Sequence, residues 1–177
     1  MAVVGSRAAS REGLLQAAAV ARELVQLGQV VVSGLAAGVD AEVHRTVIAC
    51  GGDTIAVIGT DLNHSYPREN AELQEQIGRE HLVVSPFAAG TPTRRANFPI
   101  RNRLMARLSH ATVLVEAGER SGTRHQVREC LAIGRPVLVP PLAAGVSWVQ
   151  ELLDAGAVTA WREPSDLREL LGTSEPA

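Results

Sequence analysis

Several short runs in this chain are apolar at every position rather than at every second one, as in VVV at 30–32 and VLV at 137–139. A strand with one wet face alternates with period two, whereas an unbroken apolar run is buried on both faces, as in a parallel sheet covered by helices. Strands of largely apolar, β-branched character recur at 2–4, 30–32, 54–58, 82–84, 112–115, 137–139 and 157–160, with Thr at 54, 112 and 159, and amphipathic stretches separate them. The alternation predicts an α/β fold, a doubly wound, mostly parallel sheet with helices on both faces. In such a fold ligands sit beyond the carboxyl ends of the strands.

Local signals place the helices. Ser10 is a cap for a helix with Leu14, Leu15, Ala18, Leu24 and Val25 at its apolar positions, and Gly28 ends it. A second helix spans about 40–50 and stops at Gly51-Gly52. A polar helix covers 68–80, two more begin near Pro99 and Gly122, a short one covers 148–154, and the last starts at 164. The long connection, 85–98, is rich in Pro, Thr, Gly and Arg; loops of this length in compact domains tend to be functional.

The 177 residues are 46% apolar and 20% charged, which suits one globular domain with a good core. The expected division is a domain over 1–171 and a short tail at 172–177. No run of 18 apolar residues exists, and the N-terminus MAVVGSR turns polar too soon for a secretory signal, so a cytoplasmic location is expected. Cys50 and Cys130 form no CxxC, and the five His residues make no HExxH-like spacing. No metal and no cofactor are expected.

All 17 basic residues are arginine, and the net charge of −2 argues against a protein that coats nucleic acid with its whole surface. The distribution is uneven. From 81 to 115 there is no acid, while Arg94, Arg95, Arg101, Arg103 and Arg107 contribute five positive charges; the rest carries 12 Arg against 19 acids. One acid-free basic segment on an acidic body predicts either a localised anion site or a solvated basic face.

Three loops at strand ends carry suitable chemistry. Gly5-Ser6-Arg7 follows the first strand and reads either as a phosphate loop or as a tight turn. Ser33-Gly34 opens a glycine-rich loop after the second strand, in which Asp40 reads as the cap of the next helix and His44 as a packed or hydrogen-bonded histidine. Ser121-Gly122-Thr123 follows the strand at 112–115, with Ser121 as a helix cap and backbone N–H groups forming an anion nest. No GxSxG elbow or His-Ser-Asp arrangement is present, so no catalytic residue is assigned.

The stretch NFPIRNRLMARLS, at 97–109, sets arginines near the start of a helix, where the dipole disfavours cations. Ile100, Leu104, Met105 and Leu108 share the expected core arc, and Arg101 falls inside it. A guanidinium there needs a partner, either a bound phosphate or a carboxylate such as Glu116. Of the five aromatic residues only Phe98 lies among the arginines, which suits phosphate gripping with one base stacked rather than an aromatic platform.

The segments AVVGSR, VVSGLAAGVDAEVH, GGDTIAVIGTDLNHSYPREN, NFPIRNRLMARLS, VLVEAGERSGT and ELLDAGA occur in the order found in the DNA-processing protein A family, also called Smf, which the chain resembles. The resemblance implies a Rossmann-like core that binds single-stranded DNA during natural transformation and loads a RecA-type recombinase, acting as a homodimer and not as an enzyme. It implies a nucleic-acid pocket of Gly5, Ser6, Arg7, Arg95, Phe98, Arg101, Asn102 and Arg103, with Ser33, Gly34, Ser121, Gly122 and Thr123 in neighbouring loops. The chain departs from the family at Ala37, where Arg is usual, at Ser85-Pro86 and at Pro140-Pro141. Only the core domain is expected, without the helical and winged-helix-like modules of longer members.

The chain is also similar to the Lonely Guy-type phosphoribohydrolases, which implies a small nucleotide as the alternative ligand. Arg101 and Met105 match the spacing of their first motif, but Asn102 replaces its Lys and Gln126 its acid. A neutral amide cannot act as a carboxylate base, so hydrolysis is disfavoured. A nucleotide-sensing module that signals to a partner is a third reading.

Overall fold

The computed structural model describes residues 1–119 and 121–170; Arg120 and the expected tail at 172–177 lie outside the described residues. Seven parallel strands form one sheet in the order β4-β3-β2-β1-β5-β6-β7. They are β1 (Ala2–Val4), β2 (Val31–Ser33), β3 (Thr54–Val57), β4 (Leu82–Val84), β5 (Thr112–Leu114), β6 (Val137–Val139) and β7 (Thr159–Ala160). The order reverses between β1 and β5, which pair Ala2 with Thr112 and Val4 with Leu114. That reversal is the switch point at which doubly wound sheets open a crevice.

The inner strands β1, β2, β3, β5 and β6 are covered on both faces, whereas the edge strands are not: Leu82 of β4 and both residues of β7 are exposed, as is Val30 just before β2. Val3, Val31, Val113 and Leu138 pack on one side against α1 (Arg11–Gln26) and α2 (Val39–Ala49). Their neighbours Val4, Val32, Leu114 and Val139 pack on the other side against α4 (Asn97–Leu108), α5 (Thr123–Ala132) and α7 (Ser147–Asp154). Helix α3 (Ala71–Glu80) extends the first layer to the β4 edge through Leu73 and Ile77, which meet Leu35, Ala56 and Ile58. The short helices α6 (Pro141–Ala144) and α8 (Asp166–Leu170) complete the described chain.

Several expectations shift in detail. Ser10 does cap α1, its Oγ accepting from Gly13 N at 2.9 Å, and Gly28 follows with φ +64°. Leu15 is nevertheless on the solvent side, because the buried stripe runs through Ala17, Val20, Ala21 and Leu24. The polar helix at 68–80 begins as a single 3-10 turn, Arg68–Asn70, before α3. The strand at 157–160 contracts to β7, and α6 was not anticipated.

The largest correction concerns α4. It starts at Asn97, two residues before Pro99, and its buried residues are Asn97, Arg101, Met105 and Ala106. Ile100 and Leu108, placed on the core arc, are each 44% exposed. Positions 97, 101 and 105 are spaced by four and form one stripe, so the helix turns a polar-led edge inward. Tertiary partners for Asn97 and Arg101 outweigh the burial of two aliphatic side chains.

Candidate nucleic-acid interface

The loops after β1, β2 and β5 converge beside the start of α4. Glycine lets them pack closely. A Cβ on Gly5 would sit 2.5 Å from Val39 Cγ2, and one on Gly38, whose φ is +74°, would press on the Ser6 and Arg7 carbonyls. Val39 N donates to Ser6 O at 3.1 Å, fixing the Gly5-Ser6-Arg7 loop on the start of α2. Gly5 is thus required by close packing against α2, and the loop presents Arg7 to the crevice.

Arg101 lies at the crevice floor, 4% exposed. Its Nη1 is 3.8 Å from Asp40 Oδ2, and its buried Nε has no partner. The carboxylate that meets it is thus Asp40 and not Glu116. Glu116 instead accepts from Ser10 Oγ at 2.6 Å and from Ser10 N, bracing the cap of α1. Asp40 is no helix cap: it is the second residue of α2, whose N-cap is Gly38, and it accepts from Ala36 N at 3.4 Å. Gly34 makes the pair sterically possible, because a Cβ there would overlap the Arg101 guanidinium and crowd Asp40.

Burial raises the Asp40 pKa, and the nearby Arg101 charge works against that rise. Burial likewise lowers the Arg101 pKa while Asp40 raises it, although a guanidinium keeps its charge at any physiological pH. Arg7 adds a second positive charge and stands over the Phe98 ring, with Cζ 5.1 Å from its centroid. The Arg101 guanidinium is 5.9 Å from the same centroid. Phe98 also meets Tyr66, ring centroids 5.5 Å apart at 53°. Each cation–π contact contributes about 0.5–2 kcal/mol, more when dry.

The expected residues divide into those brought together and those kept apart. A cleft of about 440 Å³ is lined by Arg7, Tyr66, Arg95, Phe98, Pro99, Arg101, Asn102, Gly122 and His125. A second, of about 510 Å³ at the switch point, is lined by Gly5, Ser6, Arg7, Ala8, Gly118, Ser121, Gly122 and Thr123. Gly34 borders the first through a smaller space shared with Arg7, Phe98 and Arg101. Ser33, in contrast, is fully buried and donates to Val3 O at 2.7 Å. Arg103 points away from the crevice, its Nε donating to Glu129 Oε2 at 3.2 Å. The Ser121 hydroxyl accepts from Thr123 N at 3.2 Å, so it does serve the first turn of α5, with Gly122 as the formal N-cap.

Sequence reading passed over several contributors. Tyr66 builds the aromatic wall against Phe98, and nothing in its local sequence marks it out. Asp61 is buried and accepts from Gly90 N at 2.6 Å, Asn63 N at 3.1 Å and His64 Nδ1 at 2.6 Å. These bonds, led by that from His64, hold its carboxyl below the usual range. Asn97 Nδ2 donates to Gly59 O at 3.1 Å and Pro92 O at 3.3 Å. Together they pin the chain at Gly90, Pro92 and Asn97, on either side of Arg94 and Arg95. Among the described residues no group of three acidic, His or Cys side chains could hold a metal ion, and no helix is long and apolar enough to cross a membrane.

A doubly wound parallel sheet with glycine-bearing loops, a helix N-terminus and arginines gathered at its switch point defines a Rossmann-like protein with a basic crevice. The chain belongs to the DNA recombination-mediator protein A family, whose sequence model matches residues 1–171. It is 41% identical over 141 residues to DNA processing protein DprA of Streptococcus pneumoniae, covering 80% of this chain and 50% of that protein. With DprA of Bacillus subtilis it shares 32% identity over 174 residues, 95% of this chain and 58% of that protein. The chain thus spans little more than half the length of these relatives.

Solved structures agree. Pneumococcal DprA superimposes with a TM-score of 0.85 at 36% identity, over 99% of this chain and 62% of that one. DNA processing protein A of Helicobacter pylori, which binds single-stranded DNA, gives 0.86 at 26% identity over 96% and 78%. The molybdenum cofactor binding protein of Rippkaea orientalis, at 18% identity with a TM-score of 0.73 over 97% and 94%, shares the fold alone.

Proposed function

We propose that this chain binds single-stranded DNA as a non-catalytic phosphate-gripping module. The observation that carries the reading is Arg101: a buried guanidinium with an unpartnered Nε, loosely paired to one acid, at the floor of a cleft that also presents Arg7, Arg95 and Phe98. An anion over that floor satisfies the orphan donor and offsets the second positive charge. One base stacks on the Phe98–Tyr66 wall, and stacking tolerates any sequence. Kinship with a family of recombination mediators extends the reading to action in DNA uptake, with a RecA-type recombinase and a second copy of the chain as partners. Hydrolysis of a nucleotide is disfavoured, since the position a carboxylate would need is the neutral Gln126.

The test is a titration of labelled oligonucleotides at several salt concentrations. Contact with three to five phosphates gives a slope of log affinity against log salt of roughly −2 to −3.5. Arg7→Ala, on an open loop, weakens binding about tenfold for every sequence and makes the slope about 0.7 shallower. Failure of any single strand to bind at low salt, with tight mononucleotide binding, sinks the proposal.

A further inference from the structure

Below the switch-point cleft lies a small cavity of about 40 Å³, reaching Gly5, Arg7, Gly122 and Thr123, which also line that cleft. Val4, Met105 and Gln126, all buried, are among its lining residues, and its volume is too small for a base. Two of the buried polar atoms without partners among the described residues belong to its walls: Arg101 Nε and Gln126 Oε1. Gln126 is 1% exposed and stands one turn inside α5. The first turn of that helix carries no acid, and its dipole favours an anion at this end.

We propose that this small cavity receives a terminal phosphomonoester, and that Gln126 is the residue that selects it over an internal phosphodiester. The inference rests on the phosphate-gripping reading above and specifies which phosphate goes deepest. Room for about three water-sized spheres accommodates the free oxygens of one phosphate but not a base. Arg101 Nε–H donates to one oxygen, and Arg7 supplies charge from the rim. Asp40, which also lines the cavity, is offset by Arg101.

Gln126 contributes through an end-for-end turn of its amide. Its Nε2 now lies 3.4 Å from Cys130 Sγ, and Cys130 in turn meets Thr112 Oγ1 at 3.1 Å. A thiol both donates and accepts, so the turned amide takes the S–H bond on its oxygen and directs its NH₂ at the anion. A carboxylate of the same length would repel the phosphate. Here the neutral amide that removes hydrolytic chemistry becomes a donor.

The experiment compares one oligothymidylate bearing a 5′-hydroxyl, a 5′-phosphate or a 3′-phosphate, with thymidine 5′-monophosphate as a separate ligand. The native chain binds one of the phosphorylated strands at least tenfold more tightly than the hydroxyl strand. Gln126→Glu and Gln126→Leu bring that ratio to one or below, with circular dichroism confirming that each is folded. Equal affinity of all three strands for the native chain overturns the inference while leaving strand binding intact. A ratio that survives in either folded variant removes Gln126 from it. If no strand binds but the monophosphate does, and only with Gln126 present, the terminal-phosphate site stands on a free nucleotide and the DNA reading falls.

Discussion

Two arginines on α4 stand two residues apart, and each meets one acid, yet they have opposite fates. Arg101 and Asp40 are buried between α4 and α2, 3.8 Å apart, with His44 one turn further along α2. Arg103 and Glu129 pair at 3.2 Å on the outside, where the arginine side chain is 56% exposed. The shorter pair is the weaker contributor, because solvent competes for both charges and screens them. The longer pair is costly to assemble and costlier to break, since neither charge has water to fall back on. Distance alone would rank them wrongly; burial decides.

The inner layer is the place to break that contrast, and pH gives the largest effect. His44 Nδ1 lies 2.7 Å from Thr54 Oγ1, and that hydroxyl donates to Val31 O, so the neutral imidazole donates from Nδ1. Burial pushes its pKa down to about 3; the Ser33 backbone pulls the other way, and Arg101 adds a smaller downward push. The unfolded chain, with His near 6.5, therefore binds the extra proton first as pH falls. Stability from this group is complete above pH 6.5 and is lost down to about pH 3, at about 1.4 kcal/mol per unit and about 5 kcal/mol in all. Urea melts of the native chain and His44→Asn between pH 7 and 4 check it: their difference in stability narrows by that slope. A constant difference refutes it.

The pair itself comes next. Arg101→Met leaves Asp40 buried and unpaired, and the expected loss is about 3 kcal/mol at neutral pH. Burial already raises the Asp40 pKa, so without Arg101 the carboxyl rises further and protonates at higher pH. The loss should thus shrink as pH falls, because protonation here removes a buried charge, whereas at His44 it creates one. Adding Asp40→Asn should restore more than half of it in a double-mutant cycle. An additive double mutant would show that the pair is not coupled.

The fold was far more legible in the sequence than this polar layer. Unbroken valine runs state burial on both faces, and glycine at 28 states a helix end, because each depends on local chemistry. The partner of Arg101 depends on which loops a parallel sheet brings together: Asp40 looks like a cap from its neighbours, and Glu116 like an ion-pair partner from its position after β5. The inward stripe of α4 was hidden for the same reason. Ile100, Leu104 and Leu108 carry the stronger apolar signal, but Gly34 leaves room for the Arg101 guanidinium and the Gly59 carbonyl accepts from Asn97, so these two polar side chains turn inward beside Met105. The crevice arginines were visible as an acid-free run; the aromatic wall of Tyr66 needed the fold.

The outer pair sharpens the comparison from its weak end. Arg103→Ala removes a bond between an exposed arginine on α4 and a half-buried glutamate on α5 and should cost no more than about 0.5 kcal/mol. Because Arg103 points away from both clefts, its effect on strand affinity should be long-range only. At low salt an exposed positive charge about a Debye length from the DNA still attracts it, so a loss of about twofold is expected there and none in 0.3 M salt. Arg7→Ala, by contrast, should remain impaired at every salt concentration tested, because it removes a contact and not merely a field. Should Arg103→Ala weaken binding as much as Arg7→Ala and persist at high salt, the strand must run over the α4–α5 face, and the ion pair with Glu129 must open to receive it.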